Sequence, residues 1–171
     1  MTVAAAKSGV TAPLGFRAAG VAAGIKANGN PDLALLVSDK PAAAAAVFTT
    51  NRAVAAPVVV SREHLERSGG TARAIVVNSG CANACTGEDG LQTARDMAAE
   101  TARLVGCPAE HVLVASTGVI GVALPIEKIR GGLPAAFRAL GADQGGAAAR
   151  AIMTTDPFPK EAAARATIAG R

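Results

Sequence analysis

The residues best suited to chemistry in this chain lie in the run Val114-Ala115-Ser116-Thr117-Gly118-Val119-Ile120-Gly121. An apolar stretch ends there in Ser-Thr-Gly, and Leu124-Pro125-Ile126-Glu127-Lys128-Ile129 then reads as a helix start. A strand that ends this way places small hydroxyls and a glycine N–H at a tight turn, where backbone can approach a ligand closely. Such donors can meet negative charge developing on a carbonyl oxygen. The same residues also suit a plain strand-to-helix turn, with Ser116 or Thr117 bonding its own backbone.

A second stretch, Asn78-Ser79-Gly80-Cys81-Ala82-Asn83-Ala84-Cys85-Thr86-Gly87, is built of small residues and amides. It could line a pocket. It could equally be a crossover from strand to helix, in which Ala and Cys allow tight packing and the Asn side chains satisfy loop amides. Arg17 could meet a substrate carboxylate or serve as a solvated or structural charge. The three cysteines, Cys81, Cys85 and Cys107, are an odd number and imply free thiols in a reducing compartment. Cys81 and Cys85 have no histidine beside them, so buried apolar roles suit them better than zinc, and no metal is expected. His64 sits in Ser61-Arg62-Glu63-His64-Leu65-Glu66-Arg67, which reads as a charged, solvated turn of helix. His111 opens the strand before the Ser-Thr-Gly turn and reads as a surface or strand-edge residue.

These groups need a scaffold. Leu33–Ser38, Ala45–Thr50, Pro57–Val60 and Ala72–Asn78 read as strands, the third running into a short helix at Ser61–Arg67. Gly90–Val105 reads as an amphipathic helix with Leu91, Ala94, Met97, Ala98, Thr101, Ala102 and Val105 on one face. His111–Ala115 is the next strand. Leu124–Leu140 reads as helix in two pieces, broken by Gly131, Gly132 and Pro134, and Asp143–Ile152 as a further helix. Lys160–Arg171 is Ala-rich, yet its alternation suits a strand. This order predicts an α/β or α+β fold, with layered sheets and flanking helices. No linker or repeat divides residues 1–171, so one domain is expected.

The 171 residues suffice for a real core, but that core must be Ala, Val, Leu and Ile, since aromatics make up 2% of the chain and hydrophobic residues 50%. Alanine allows sheets and helices to approach closely but contributes little burial energy, so a partner is expected to supply part of the stability. The net charge of +4 is scattered without aromatic interleaving, which argues against nucleic acid and leaves mild attraction of small anions. No run of 18 apolar residues occurs, and the first ten residues do not form a signal peptide, so a soluble, cytoplasmic protein is expected. The spacing of Gly20, Gly24 and Gly29 does not match a dinucleotide fingerprint.

Four segments taken together carry a resemblance. They are Gly15-Phe16-Arg17-Ala18-Ala19-Gly20-Val21, Asn78 to Gly87, Ser116-Thr117-Gly118-Val119-Ile120-Gly121, and Ala151-Ile152-Met153-Thr154-Thr155-Asp156. With them the chain resembles, from about Thr11 to its end, the N-terminal (α) part of the ornithine acetyltransferases, the bifunctional glutamate N-acetyltransferases of arginine biosynthesis. The resemblance implies a precursor that cuts itself before a threonine, which becomes the N-terminal nucleophile of a β chain. It implies acetyl transfer from N-acetylornithine to glutamate through an acetyl-threonine, giving ornithine and N-acetylglutamate with no cofactor. It also implies an αββα arrangement shared between the chains and an (αβ)2 or larger assembly. An amine beside the hydroxyl can act as its base, the logic of an N-terminal nucleophile.

On this resemblance Thr117 and Gly118 form the oxyanion hole, through a hydroxyl and an N–H, and Thr154 binds substrate. Thr155, Asp156, Asn78 and Asn83 are supporting candidates. Read without the family, Thr154 to Asp156 is a helix C-terminal turn capped by Asp156. The family's lysine-glycine segment and Ala-Thr junction do not occur before Arg171, so the chain is expected to be the α subunit, inactive without its partner. Two alternatives are a subunit of an N-terminal-nucleophile aminopeptidase or amidohydrolase, and a non-catalytic structural partner chain.

Overall fold

The computed structural model describes residues 9–164 and 166. Four strands form one sheet in the order β1-β2-β3-β4: β1 (Phe16–Val21), β2 (Leu33–Ala43), β3 (Thr71–Cys81) and β4 (Val112–Val119). The first three are antiparallel neighbours, while β3 and β4 run parallel. Parallel pairing needs a crossover connection. Helix α2 (Gly87–Val105) provides it, ending at Gly106 in the left-handed conformation. Helices α1 (Ala56–Arg67), α3 (Ile126–Arg138) and α4 (Gly145–Ala151) complete the fold.

Alternation along the strands divides the sheet into two faces. Leu33, Leu35, Val37, Ala74, Val76, Val112 and Val114 point to the face covered by α1, α2 and α3, where Met97, Ile129 and Leu133 fill the core. The expected face of α2 is the one buried: Ala94, Met97, Ala98, Thr101 and Ala102 are inaccessible. On the opposite face α4 packs through Ala148 and Ala151 onto Ala18 and Ala34. The approach is close. A Cβ at Gly20 would overlap the Ala147 carbonyl and come within 2.9 Å of the Ala148 nitrogen. Alanine and glycine thus form the thin layer that the composition implies.

Several elements differ from expectation. Phe16–Val21, assigned no element from sequence, forms strand β1 because β2 offers it an antiparallel edge from Phe16↔Ser38 to Val21↔Leu33. Ala45–Thr50 is not a strand: Val47 is 99% exposed there, so the segment has no core to face. The Val58-Val59-Val60 run is helical rather than extended. Pro57 stands in the first turn of α1, where its missing N–H costs nothing, and Val60, Ser61 and His64 share the buried side. Burial overrides β-propensity here. His64 is accordingly buried rather than solvated. His111 ends a short 3-10 turn (Ala109–His111), and the strand begins one residue later.

Helix α3 runs unbroken through Pro134. The proline forgoes one hydrogen bond, and Ile129, Leu133 and Ala136 are buried along the same helix. The strand expected at Lys160–Arg171 falls partly on residues 165 and 167–171, which lie outside the described residues; the described part, 160–164 and 166, is irregular. Among the described residues, no helix is long and apolar enough to cross a membrane.

Candidate functional site

The parallel register of β3 and β4 sets two motifs side by side: Ser79 faces Thr117, Gly80 faces Gly118, and Cys81 faces Val119. Both glycines have positive φ, 103° at Gly80 and 134° at Gly118. A Cβ at Gly118 would lie 2.6 Å from the Cys81 nitrogen and 2.7 Å from the Gly80 oxygen. Only glycine lets the two strand ends meet this closely. Beyond the pair, the Val119 carbonyl accepts from the Ala82 N–H at 2.9 Å, and the Gly121 N–H donates to the Ala84 carbonyl at 2.9 Å, so the turn after β4 is fastened to the loop after β3.

The strand ends form the floor of a cleft of about 730 Å³. Thr117, Gly118 and Val119 line one side, Thr154 and Thr155 another, and Ile25 to Asn28 a third. Asp32 organises that third wall. It is fully buried, and its carboxylate accepts the Ala23 N–H at 2.6 Å and the Lys26 N–H at 2.8 Å. Its own backbone donates to the Val21 carbonyl and accepts from the Ser79 N–H, which anchors the β1–β2 loop to both neighbouring strands. A buried carboxylate requires such hydrogen-bonded donors. Lys26 is the charged residue lining the cleft, and its Nζ donates to the Pro31 carbonyl at 2.9 Å and the Met153 carbonyl at 2.7 Å. The end of α4 is tied to the floor by Ser79, whose Oγ donates to the Ala151 carbonyl at 2.5 Å.

Thr117, Gly118, Thr154 and Thr155, distant in sequence, thus share one cavity. The other three candidates stand apart from it. Asp156 accepts from the Thr154 N–H at 3.4 Å and pairs with the Lys160 ammonium. The Lys160 hydrogen bond, helped by the Thr154 amide, holds the Asp156 carboxyl below the usual carboxylate range. Its place is that of the turn cap. Asn78 is fully buried on the helix-covered side, and its Nδ2 donates to the Cys81 carbonyl at 2.9 Å. Asn83 donates to the Gly90 carbonyl at 2.9 Å and accepts from Thr86 Oγ1 at 2.8 Å, in a left-handed conformation with φ 47°. Both asparagines brace the crossover into α2.

Cys81 is buried and directs its thiol at the Val122 carbonyl, whereas Cys85 is exposed. Arg17 pairs with Asp39 at 2.9 Å on the surface and takes no part in the cleft. Sequence reasoning missed Lys26 and the whole Ile25–Asn28 wall. The available signal was the Asn30-Pro31-Asp32 break before β2, which marks a loop; without β1 recognised, that loop had no strand on its other side to locate it.

The geometry is one of small hydroxyls and glycine backbone facing a cavity with one cation on its rim. That equipment can bind a polar, carboxylate-bearing molecule and stabilise an oxyanion. Among the described residues lining it, no nucleophile is paired with a base.

Comparison with known proteins agrees with the motifs. The model of the ArgJ family matches residues 17–171. The arginine biosynthesis bifunctional protein ArgJ of Thermosynechococcus vestitus is 55% identical over 163 residues, covering 95% of this chain and 39% of that protein. The ArgJ protein of Symbiobacterium thermophilum is 54% identical over 164 residues, covering 95% of this chain and 40% of that protein. The chain therefore spans about two fifths of the length of these curated relatives. Among solved structures, the ornithine acetyltransferase of Mycobacterium tuberculosis complexed with ornithine matches with a TM-score of 0.83 at 45% identity, over 89% of this chain and 82% of that one. The ArgJ structure from Bacillus halodurans matches with a TM-score of 0.81 at 36% identity, over 90% of this chain and 85% of that one.

Proposed function

The chain belongs to the ArgJ family, and from that premise we propose that it is the α part of an ornithine acetyltransferase, contributing the oxyanion hole and part of the substrate pocket. The observation that carries this reading is the meeting of Thr117, Gly118 and Thr154 in one cleft at the ends of β3 and β4. In the proposed reaction a threonine hydroxyl of the β part attacks the acetyl carbonyl of N-acetylornithine. The carbonyl oxygen takes up negative charge and is met by the Thr117 hydroxyl and the Gly118 N–H. Collapse expels the ornithine amine, protonated as it leaves, and the acetyl group stays on the threonine. Glutamate then attacks through its amine, the oxyanion forms again at the same donors, and N-acetylglutamate departs. Every step uses protein groups and calls for no cofactor.

Thr154 is assigned to the backbone groups of the bound amino acid, with Thr155 beside it; Asp156, Asn78 and Asn83 hold the surrounding turns. Two further features support a second chain. The Mycobacterium tuberculosis chain is of similar length, with 82% of it covered, whereas the same stretch spans 39% of a curated relative. The sheet face beside α4 also keeps Ile75 and Phe16 partly exposed, where a second sheet of an αββα arrangement would lie. On this reading residues 1–171 act as one unit within an (αβ)2 or larger cytoplasmic assembly.

The test is acetyl transfer from N-acetylornithine to glutamate by this chain produced with the remainder of its protein. Thr117→Ala is expected to lower kcat on the order of a hundredfold to a thousandfold, as loss of one oxyanion donor does. An unchanged rate would leave the chain a structural role only. Release of free acetate without an acceptor would instead identify a hydrolase.

A further inference from the structure

We propose that Lys26 is a positioning residue that sets substrate affinity by holding the Thr154 turn against the β1–β2 loop. The inference rests on the acetyltransferase reading above and adds a residue to it. The Lys26 ammonium bridges two carbonyls, that of Pro31 in its own loop at 2.9 Å and that of Met153, the residue before the Thr154 side of the cleft, at 2.7 Å. The two walls are unequal. The lysine's own loop is fixed by the buried Asp32, which takes both the Ala23 and Lys26 amides and pairs through its backbone with Val21 and Ser79.

The far wall is held less well. The Met153 N–H reaches the Arg150 carbonyl at 3.3 Å, and the Thr154 N–H reaches Asp156 at 3.4 Å, both long and both within the turn itself. Ser79 holds the helix end at Ala151, and beyond it the ammonium at 2.7 Å ties the turn itself to the β1–β2 loop; a hydrogen bond from a charged donor is stronger than a neutral one. Its acceptor matters. The Met153 carbonyl belongs to the peptide plane that carries the Thr154 nitrogen, so the grip on one fixes the other. Thr117 and Gly118, by contrast, are held by strand pairing that does not involve Lys26. Loss of the ammonium should loosen Thr154 and leave the oxyanion donors in place. Binding then weakens before turnover does.

The experiment uses the whole protein, with this chain and the remainder together, and compares wild type, K26M, K26R, T154A and the K26M/T154A double variant. K26M is expected to raise KM for N-acetylornithine on the order of tenfold while kcat stays within about threefold, the size of one lost charged hydrogen bond. K26R, which keeps a cationic donor, is expected to recover part of that loss. Because the lysine acts through Thr154, adding K26M to T154A should change KM by less than about twofold. A wild-type KM in K26M overturns the proposal, as does an equal effect of K26M with and without Thr154. So does a loss of thermal stability with no change in KM, which marks a purely structural lysine. If K26M fails to accumulate, K26R against K26Q makes the same comparison. A wild-type protein without transfer activity refutes the acetyltransferase reading itself, and an unchanged KM in T154A refutes the assignment of Thr154.

Discussion

Residue environments separate the three thiols. Cys85 is exposed, Cys81 is buried against the Val122 carbonyl, and Cys107 lies between. Burial pushes the Cys107 thiol up; Arg73 opposes this and Glu110 reinforces it. A thiol whose folded pKa is raised favours the neutral form in the native state. Its contribution to stability is therefore intact below the ordinary thiol range and declines as pH rises through it. Iodoacetamide at neutral pH is expected to label Cys85 first, with Cys107 following only as pH is raised and Cys81 only on unfolding; mass spectrometry of the alkylated peptides reads the order. Legibility at this scale followed chemistry. Thr117 and Gly118 stood out because Ser-Thr-Gly after an apolar run is a recognisable turn. Lys26 did not, because a lysine among scattered lysines carries no mark of the two distant carbonyls it joins.

Among the elements, α1 and β4 depend on each other. β4 pairs with β3 along one edge only, which leaves backbone groups on its other edge to be satisfied. Ser61 of α1 does this twice, donating to the Val114 carbonyl at 2.7 Å and accepting from the Val114 N–H at 2.9 Å. His64, one turn later, donates from Nδ1 to the Val112 carbonyl at 2.8 Å. The helix thus stands in for a fifth strand. Ser61→Ala strips Val114 of both partners in a buried site and is expected to cost about 1–3 kcal/mol in chemical denaturation, more than the same change at an exposed serine. This relation explains why Pro57–Val60 misled sequence reasoning. Three valines in a row suit a strand, but the value of Val60, Ser61 and His64 lies in a helical spacing against an edge that is visible only once β4 is placed. Gly90–Val105 was legible because its period of burial is carried by its own residues.

On the scale of the whole molecule the two sheet faces are unequal. Three helices cover one, and the short α4 covers a corner of the other. Phe16, Leu36, Ile75 and Leu113 border an apolar groove of about 320 Å³ on the thinly covered side. Val119 and Ile120, more than half exposed, lie in and just beyond the end of β4 near the cleft. A surface of this kind favours association. The chain produced alone is expected to bind a hydrophobic dye and to self-associate in analytical ultracentrifugation, and both signals should disappear when it is produced with the remainder of its protein. Dye binding that persists in the joint product would show that the face has no partner there. If the proposed partner covers this face, it would supply burial that an alanine-rich core gives sparingly by itself.

The opposed glycines at the ends of β3 and β4 have one more effect. No hairpin dictates the alignment of two parallel strands, and a stretch rich in small residues is prone to sliding. Sliding β4 by one position would bring Thr117 or Val119 opposite Gly80, and by two, Ser116 or Ile120. Each would thrust a Cβ into peptide atoms where Gly118 has none to spare. Misalignment is therefore penalised at the floor of the cleft, and the glycine pair at the proposed oxyanion site also keeps the strands in step.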